Sequence, residues 1–89
     1  MRVVRYEKIA LRVLAKMPVP TAVRIKQKVA AFAENPASQA GNYKLMRGED
    51  GIGRLRVGDW RVIMRGDAEV LSVMKIGTRG DIDKDFDHD

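Results

Sequence analysis

The chain has 89 residues, a formal net charge of +5 and no cysteine. This length accommodates one domain with one small core, and the absence of cysteine excludes disulfides, thiolate zinc sites and cysteine nucleophiles. No apolar run approaches the roughly 20 residues of a membrane span, so we expect no transmembrane segment, no signal peptide and a cytoplasmic location.

The charge is unevenly distributed along the chain. Residues 1–80 carry 16 of the 17 Lys and Arg and 7 of the 12 Asp and Glu, a net charge of +9. The last nine residues, DIDKDFDHD, carry a net charge of −4. A basic body favours a polyanionic partner, most simply nucleic acid, although a basic protein without such a partner has the same composition.

The first half of the sequence predicts one strand and two helices. RVVRY at 2–6 is rich in β-branched residues and predicts a strand. Apolar residues at helical spacing predict a helix from Glu7 to the prolines of MPVP, and a second helix from about Thr21 to ENP at 34–36. The apolar stripes of these helices are Ala10, Val13, Leu14, Met17, Ala22, Ile25, Val29, Phe32 and Ala33.

The second half predicts strands. YKLM at 43–46 is suited to begin one, and alternating apolar residues predict three more at about 52–57, 60–65 and 70–76. The sequence therefore predicts a small α+β domain of order β-α-α-β-β-β, an antiparallel sheet with a helical hairpin packed on one face. We expect this domain to cover residues 1–83 and the acidic tail 84–89 to be disordered.

The register of the first hairpin decides where its arginines lie. A two-residue loop, Gly58-Asp59, suits a type II′ turn and places Arg56 directly opposite Arg61. Like charges in opposed positions destabilise a sheet, whereas a bound phosphate converts them into a site, since each guanidinium donates two parallel hydrogen bonds. The alternative is that Asp59, Asp67 or Glu69 screens the arginines, or that they fan out into water.

The second hairpin sorts the remaining side chains into two faces. A four-residue loop at 66–69 pairs Val62 with Val73, which places Lys75 on the core face. The predicted core face collects Leu55, Val57, Trp60, Val62, Met64, Leu71 and Val73. The opposite face collects Arg54, Arg56, Arg61, Ile63, Arg65, Val70, Ser72 and Met74. Arg79 follows the last strand, where its side chain can reach over this arginine face.

Four segments together resemble the RelE/ParE superfamily of bacterial toxins from toxin–antitoxin systems. They are YEKIALRVLAKMP and VAAFAENP in the helices, RLRVGDWRVI in the hairpin and KIGTRGDI at the end of the last strand. The hairpin and the GTRGDI ending are the most specific, and the resemblance covers nearly the whole chain. It implies a toxin that a cognate antitoxin holds inactive.

The resemblance implies two possible activities. RelE-like members are ribosome-dependent endoribonucleases that cut mRNA and stop translation without a cofactor, whereas ParE-like members inhibit DNA gyrase and are not nucleases. We favour the nuclease. A third possibility is a toxin that has lost its catalytic activity and serves mainly as an antitoxin partner or transcriptional co-repressor.

The resemblance also assigns roles to individual residues. Arg61 and Arg79 match the family's catalytic arginines, and Arg54 and Arg56 match strand positions that contact mRNA phosphates. We add Arg65 and Lys44 as further phosphate-binding candidates on the basis of their predicted positions. Asp83 stands where many members carry tyrosine, and Ile52 where some nucleases carry lysine.

Those two departures bear on the chemistry. Cleavage by the 2′-OH needs a base, an acid and charge stabilisation, and arginine does not readily exchange protons. Asp83 is the candidate base, and Lys44 and Lys75 are candidate proton donors. The alternating Asp residues of the tail lack the Gly and terminal Glu of an EF-hand, so we predict no metal site.

Overall fold

The computed structural model describes residues 2–46 and 51–86, the last four by their backbone. The elements in chain order are β1 (Val3–Tyr6), α1 (Lys8–Lys16), α2 (Val19–Glu34), a 3-10 turn (Pro36–Gln39), β2 (Tyr43–Leu45), β3 (Ile52–Val57), β4 (Trp60–Gly66), β5 (Val70–Thr78) and α3 (Arg79–Phe86). The predicted α+β fold is confirmed, and the elements follow the predicted order with β2, at the segment suited to begin a strand, as a fifth strand. Helix α3 is an element that the sequence did not predict.

Both long helices form where the apolar spacing predicted them. The buried residues of α1 and α2 are Ala10, Leu14, Ile25, Val29, Phe32 and Ala33. Helix α2 begins at Val19, two residues before the predicted start, because Pro20 occupies its first turn, where a missing N–H breaks no helical hydrogen bond. Within the described residues, no helix is both long enough and apolar enough to cross a membrane.

The five strands form one sheet in the order β1-β5-β4-β3-β2. Strands β2 to β5 are antiparallel as predicted, but β1 pairs with β5 in parallel, so the sheet is mixed. β1 and β2 are its two edges, and α1 and α2 carry the chain from one edge to the other. The main core lies between these helices and one face of the sheet, and its strand residues are Leu55, Val57, Val62, Met64, Leu71, Val73 and Ile76.

The β3–β4 hairpin has the predicted register. Arg56 pairs with Arg61, and Val57 pairs with Trp60 next to the turn. The backbone of Gly58 has a φ of 60°, and no residue other than glycine has a positive φ in the described part of the chain. One positive φ at the first central position is the pattern of the predicted type II′ turn.

The predicted register of the β4–β5 hairpin is wrong. Val73 pairs with Met64 rather than with Val62, and the register shifts between Ile63 and Met64. Strand β4 continues to Gly66, and Met74 is an extra residue in β5, as in a β-bulge. The bulge places Lys75 opposite Ile63, so Lys75 lies on the arginine face and not on the predicted core face.

A second, smaller apolar cluster covers part of the arginine face. Ile82 of α3 packs there against Ile63 and Ile52, and all three are at most 6% exposed. Gly77 permits this contact, since a Cβ at that position would lie 3.3 Å from the side chain of Ile82. The helix continues to Phe86, past the predicted domain limit at residue 83, and residues 87–89 of the predicted tail lie outside the described residues.

Candidate functional site

The arginine face, opposite α1 and α2, presents two rows of residues that run across the strands. From β5 to the β2 side, the first row is Gly77, Arg61, Arg56 and Asn42. The second row is Lys75, Ile63, Arg54 and Lys44. Neighbouring strands lie about 4.8 Å apart, and successive residues on one face of a strand about 6.6 Å apart, so these basic residues are close neighbours.

A depression of about 420 Å³ lies over the β2–β3–β4 part of these rows. It is lined by Gly41, Asn42, Tyr43, Lys44, Arg54, Arg56, Arg61 and Arg79. The structure thus brings together five of the seven site residues predicted from the sequence, from three strands and one helix. None of these eight residues is acidic, so the depression is suited to an anion with several charges.

Arg61 is held over the turn of its own hairpin. Its Nη1 donates hydrogen bonds to the carbonyl oxygens of Gly58 at 2.9 Å and Trp60 at 3.0 Å. The first carbonyl belongs to the turn and the second to the first residue of β4, and Arg61 is half-buried. The turn therefore restricts the positions that this side chain takes.

Arg56 is held from the opposite side by Asn42, a residue that the sequence reasoning missed. The backbone N–H of Arg56 donates to the carbonyl of Asn42 at 2.8 Å, and its Nη2 donates to Oδ1 of the same residue at 3.2 Å. Asn42 Nδ2 in turn donates to Oε1 of Gln39, which is buried. Asn42 lies in a segment, ASQAGN, whose composition indicates only a loop, so no sequence pattern marked it.

Arg79 enters the site because α3 begins at the turn end of the sheet. Its backbone N–H donates to the carbonyl of Asp59 at 2.9 Å, which ties the first residue of α3 to the β3–β4 turn. The side chain lines the same depression as Arg56 and Arg61. The predicted closeness of these three arginines is therefore present.

Two of the predicted site residues, Arg65 and Asp83, are not among the residues that line this depression. Arg65 pairs with Ile52 on one side and Ser72 on the other, two positions along β4 from the Lys75–Lys44 row, and its exposed side chain does not line the depression. Asp83 falls within α3, and its side chain lies outside the described residues. Ile52, which the resemblance aligns with a lysine of some nucleases, is buried beneath α3.

Tyr43 forms part of the wall of the depression. Its ring packs against Phe32 of α2 with a centroid separation of 4.3 Å. Burial raises the pKa of the Tyr43 hydroxyl, and the nearby charge of Arg2 lowers it in part. Because Tyr43 pairs with Leu55, its ring lies on the core face, and its hydroxyl is not a candidate base on the arginine face.

The acidic residues of the β4–β5 loop do not screen the arginine cluster. Asp67 directly follows the end of β4 at Gly66, six residues after Arg61, which corresponds to about 20 Å along an extended chain. Asp67 Oδ1 instead accepts the backbone N–H groups of Val70 at 2.7 Å and Glu69 at 2.8 Å, which lower the pKa of its carboxyl. This part of the screening alternative is therefore wrong.

The described residues contain no group of three or more His, Cys, Asp or Glu side chains placed to hold a metal ion. The site is formed by nitrogen donors that carry positive charge. Such a set binds anions and repels cations.

Solved structures with the same fold include toxin–antitoxin complexes. The chain is similar to the archaeal RelE–RelB complex from Pyrococcus horikoshii, with 21% identity, a TM-score of 0.75, and 89% of this chain and 96% of that chain covered. The intact E. coli RelBE complex matches with 21% identity, a TM-score of 0.71 and coverages of 88% and 96%. The RelBE2 complex from Mycobacterium tuberculosis matches with 25% identity, a TM-score of 0.63 and coverages of 88% and 98%.

Sequence comparison gives a consistent assignment. A search of curated proteins finds no significant match. A family model, described as the ParE toxin of the type II toxin–antitoxin system parDE, matches residues 4–82. Since this match spans the helices, all five strands and the start of α3, the chain belongs to the ParE toxin family of type II toxin–antitoxin systems, within the RelE/ParE superfamily.

Proposed function

We propose that this toxin is a ribosome-dependent endoribonuclease that cuts mRNA and thereby inhibits translation. The observation that supports this proposal best is the convergence of Lys44, Arg54, Arg56, Arg61 and Arg79 on one depression. Arg56 lies directly opposite Arg61 in the sheet, and an anion bound between them would offset the repulsion of their like charges. RNA supplies such an anion at every phosphate.

The proposed chemistry uses these residues in separate roles. The 2′-oxygen attacks the phosphorus, the bond to the 5′-oxygen breaks, and negative charge accumulates on the phosphoryl oxygens in between. Arg61 and Arg79 stabilise this charge, since both line the depression from different elements. Arg54 and Arg56 hold the neighbouring phosphates.

The proton transfers need other groups, because arginine stays charged throughout. We propose Lys75 or Lys44 as the acid that protonates the leaving 5′-oxygen, since both belong to the row that contains Arg54. Asp83 remains our proposal for the base that accepts the proton of the 2′-OH. No cofactor is required for these steps.

The second candidate is inhibition of DNA gyrase by binding. The description of the matching family model as a ParE toxin favours it. The arginine cluster would then contact the gyrase–DNA complex without cutting nucleic acid. A toxin that has lost its chemistry would show neither activity and would act through its antitoxin.

We further propose that a cognate antitoxin binds this chain in the cytoplasm. The similar structures from P. horikoshii, E. coli and M. tuberculosis were each solved as toxin–antitoxin complexes. Val3, Val19 and Leu45 are more than 60% exposed and supply apolar contacts for such a partner. A small acidic protein encoded beside this one is the expected antitoxin.

Induction of the chain in cells tests the proposed activity. We expect rapid loss of protein synthesis and mRNA cuts at the ribosomal A site, mapped by primer extension. Arg61→Ala and Arg79→Ala should each abolish the cuts. Filamentation with an SOS response and intact mRNA would instead indicate gyrase inhibition, and no growth effect would indicate the inactive toxin.

A further inference from the structure

A second groove adjoins the arginine depression at the β3–β4 turn. It has a volume of about 500 Å³ and lies between this turn and helix α2. Its charged and amide-bearing lining residues are Arg24, Lys28, Asn42, Arg56, Asp59 and Arg61. Asn42, Arg56 and Arg61 line both the groove and the depression, so the two form one continuous surface around the end of the hairpin.

Arg24 and Lys28 add positive charge from α2 to this surface. Residues four apart lie on the same side of a helix, and like charges at this spacing destabilise it by a few tenths of a kcal/mol. The Arg24 guanidinium extends toward the turn, where its Nη1 would lie 3.9 Å from a Cβ at position 58. Arg24 and Lys28 are therefore two neighbouring like charges on a helix, as Arg56 and Arg61 are in the sheet.

The charge balance of the groove favours an anion. Four of its lining side chains are cations, and Asp59 is the single acidic one. The groove and the depression together are too extended for one phosphate, whereas a polynucleotide presents a phosphate at every residue. A strand seated on Arg56 and Arg61 therefore meets Arg24 and Lys28 when it continues past the turn.

We infer that this groove is a second phosphate-binding site for single-stranded RNA, in which Arg24 and Lys28 hold phosphates next to those in the arginine depression. The identity of the ligand as RNA rests on the proposed function. The site extends the bound length of RNA and adds affinity without contributing to the chemistry. Its loss should weaken the binding of long RNA but not of RNA short enough to occupy the depression alone.

The test is direct binding of RNA to the full chain, without ribosomes. Fluorescence anisotropy would compare a tetranucleotide with a dodecanucleotide, both 2′-O-methylated so that they are not cut, over a series of salt concentrations. The test variant is Arg24→Gln/Lys28→Gln, and the matched control is Lys16→Gln/Lys26→Gln, which removes two exposed charges from α1 and α2 outside the groove. The swap Arg24→Lys/Lys28→Arg keeps both positive charges and tests whether charge at these two positions is enough for RNA binding.

We expect the test variant to reduce the slope of log affinity against log salt for the dodecanucleotide by about 1.4, at roughly 0.7 for each lost phosphate contact. Its affinity for the tetranucleotide should not change, and the swap should restore the slope. The inference is wrong if the test and control variants lose the same amount of affinity for the dodecanucleotide. It is also wrong if the full chain binds polyglutamate more tightly than RNA. If long RNA binds as expected while Arg61→Ala still cuts mRNA, the proposed catalytic site fails and this inference stands.

Discussion

Arg56 and Arg61 lie directly opposite each other on β3 and β4, and each donates hydrogen bonds to uncharged oxygen atoms of the protein. Asn42 holds the first and the turn carbonyls hold the second, so the two guanidiniums form part of the site before any ligand arrives. Such preorganisation reduces the entropy lost when an anion binds. The same placement of two positive charges also destabilises the folded protein, because like charges repel across the strands.

Removal of one of these charges should therefore stabilise the free protein. We expect Arg56→Thr to raise the free energy of unfolding by about 0.2–1 kcal/mol at low salt, and the gain should shrink as salt screens the repulsion. Urea denaturation at two ionic strengths measures this. Arg65→Thr is the control, since Arg65 faces Ile52 and Ser72. Equal effects of the two substitutions would contradict the repulsion.

Substitution of Asn42 should weaken RNA binding through Arg56. We expect Asn42→Ala to lower the affinity for a short RNA by about three- to tenfold, because a hydrogen bond to a charged group contributes about 1.5–3 kcal/mol and less where it is exposed. Ser38→Ala is the control, as its hydroxyl bonds backbone carbonyls of Ala31 and Asn35 away from the depression. Unchanged affinity in Asn42→Ala would show that Arg56 needs no support.

The position of Lys75 on the arginine face predicts a role in cutting. We expect Lys75→Gln to slow mRNA cleavage by about 10²–10⁴-fold if Lys75 is the proton donor. Lys75→Arg should not restore the rate, because a guanidinium keeps its protons, whereas it would restore a purely electrostatic contribution. Single-turnover cleavage on programmed ribosomes measures both variants, and Lys26→Gln serves as the surface control. A Lys75→Gln rate near that of the unmodified protein would remove Lys75 from the mechanism.

Two glycines near the start of α3 should respond in opposite ways to alanine. A Cβ at Gly77 would crowd Ile82 at 3.3 Å, whereas a Cβ at Gly80 meets no atom within 4 Å. We expect Gly80→Ala to raise the free energy of unfolding by about 0.5–1 kcal/mol through helix propensity, and Gly77→Ala to lower it. Thermal unfolding compares them, and a stabilising Gly77→Ala would mean that α3 does not pack on the sheet as described.

The lowered pKa of Asp67 predicts part of the acid sensitivity of the fold. Its folded pKa lies below the ordinary value of 3.8, so the ionised carboxylate stabilises the hairpin above that pH. This contribution should be lost as the pH falls through the folded pKa. Asp67→Asn should flatten the dependence of the urea midpoint on pH in this range. A midpoint that falls as steeply in Asp67→Asn would assign the acid sensitivity to other groups.

Much of the fold follows from local pattern. The helix stripes ending at Met17 and Ala33, and the strands that alternate around Leu55 and Val62, are set by the periodicity of burial, which the sequence carries directly. Gly58 fixes the turn and hence the opposition of Arg56 and Arg61. The arginine pair, the central feature of the site, was therefore readable from the chain alone.

The rest depended on contacts between distant segments. Nothing in the β4–β5 sequence marks Met74 as an extra residue, and that bulge alone moves Lys75 from one face of the sheet to the other. The packing of Ile82 on Ile63 creates α3 from a segment whose charge suggests only a solvated tail, and the amide of Asn42 meets Arg56 across 14 positions of chain. Local sequence encodes which face a residue prefers, whereas register shifts and partners are chosen by the whole core, because only the assembled sheet determines which pairing buries the most apolar surface.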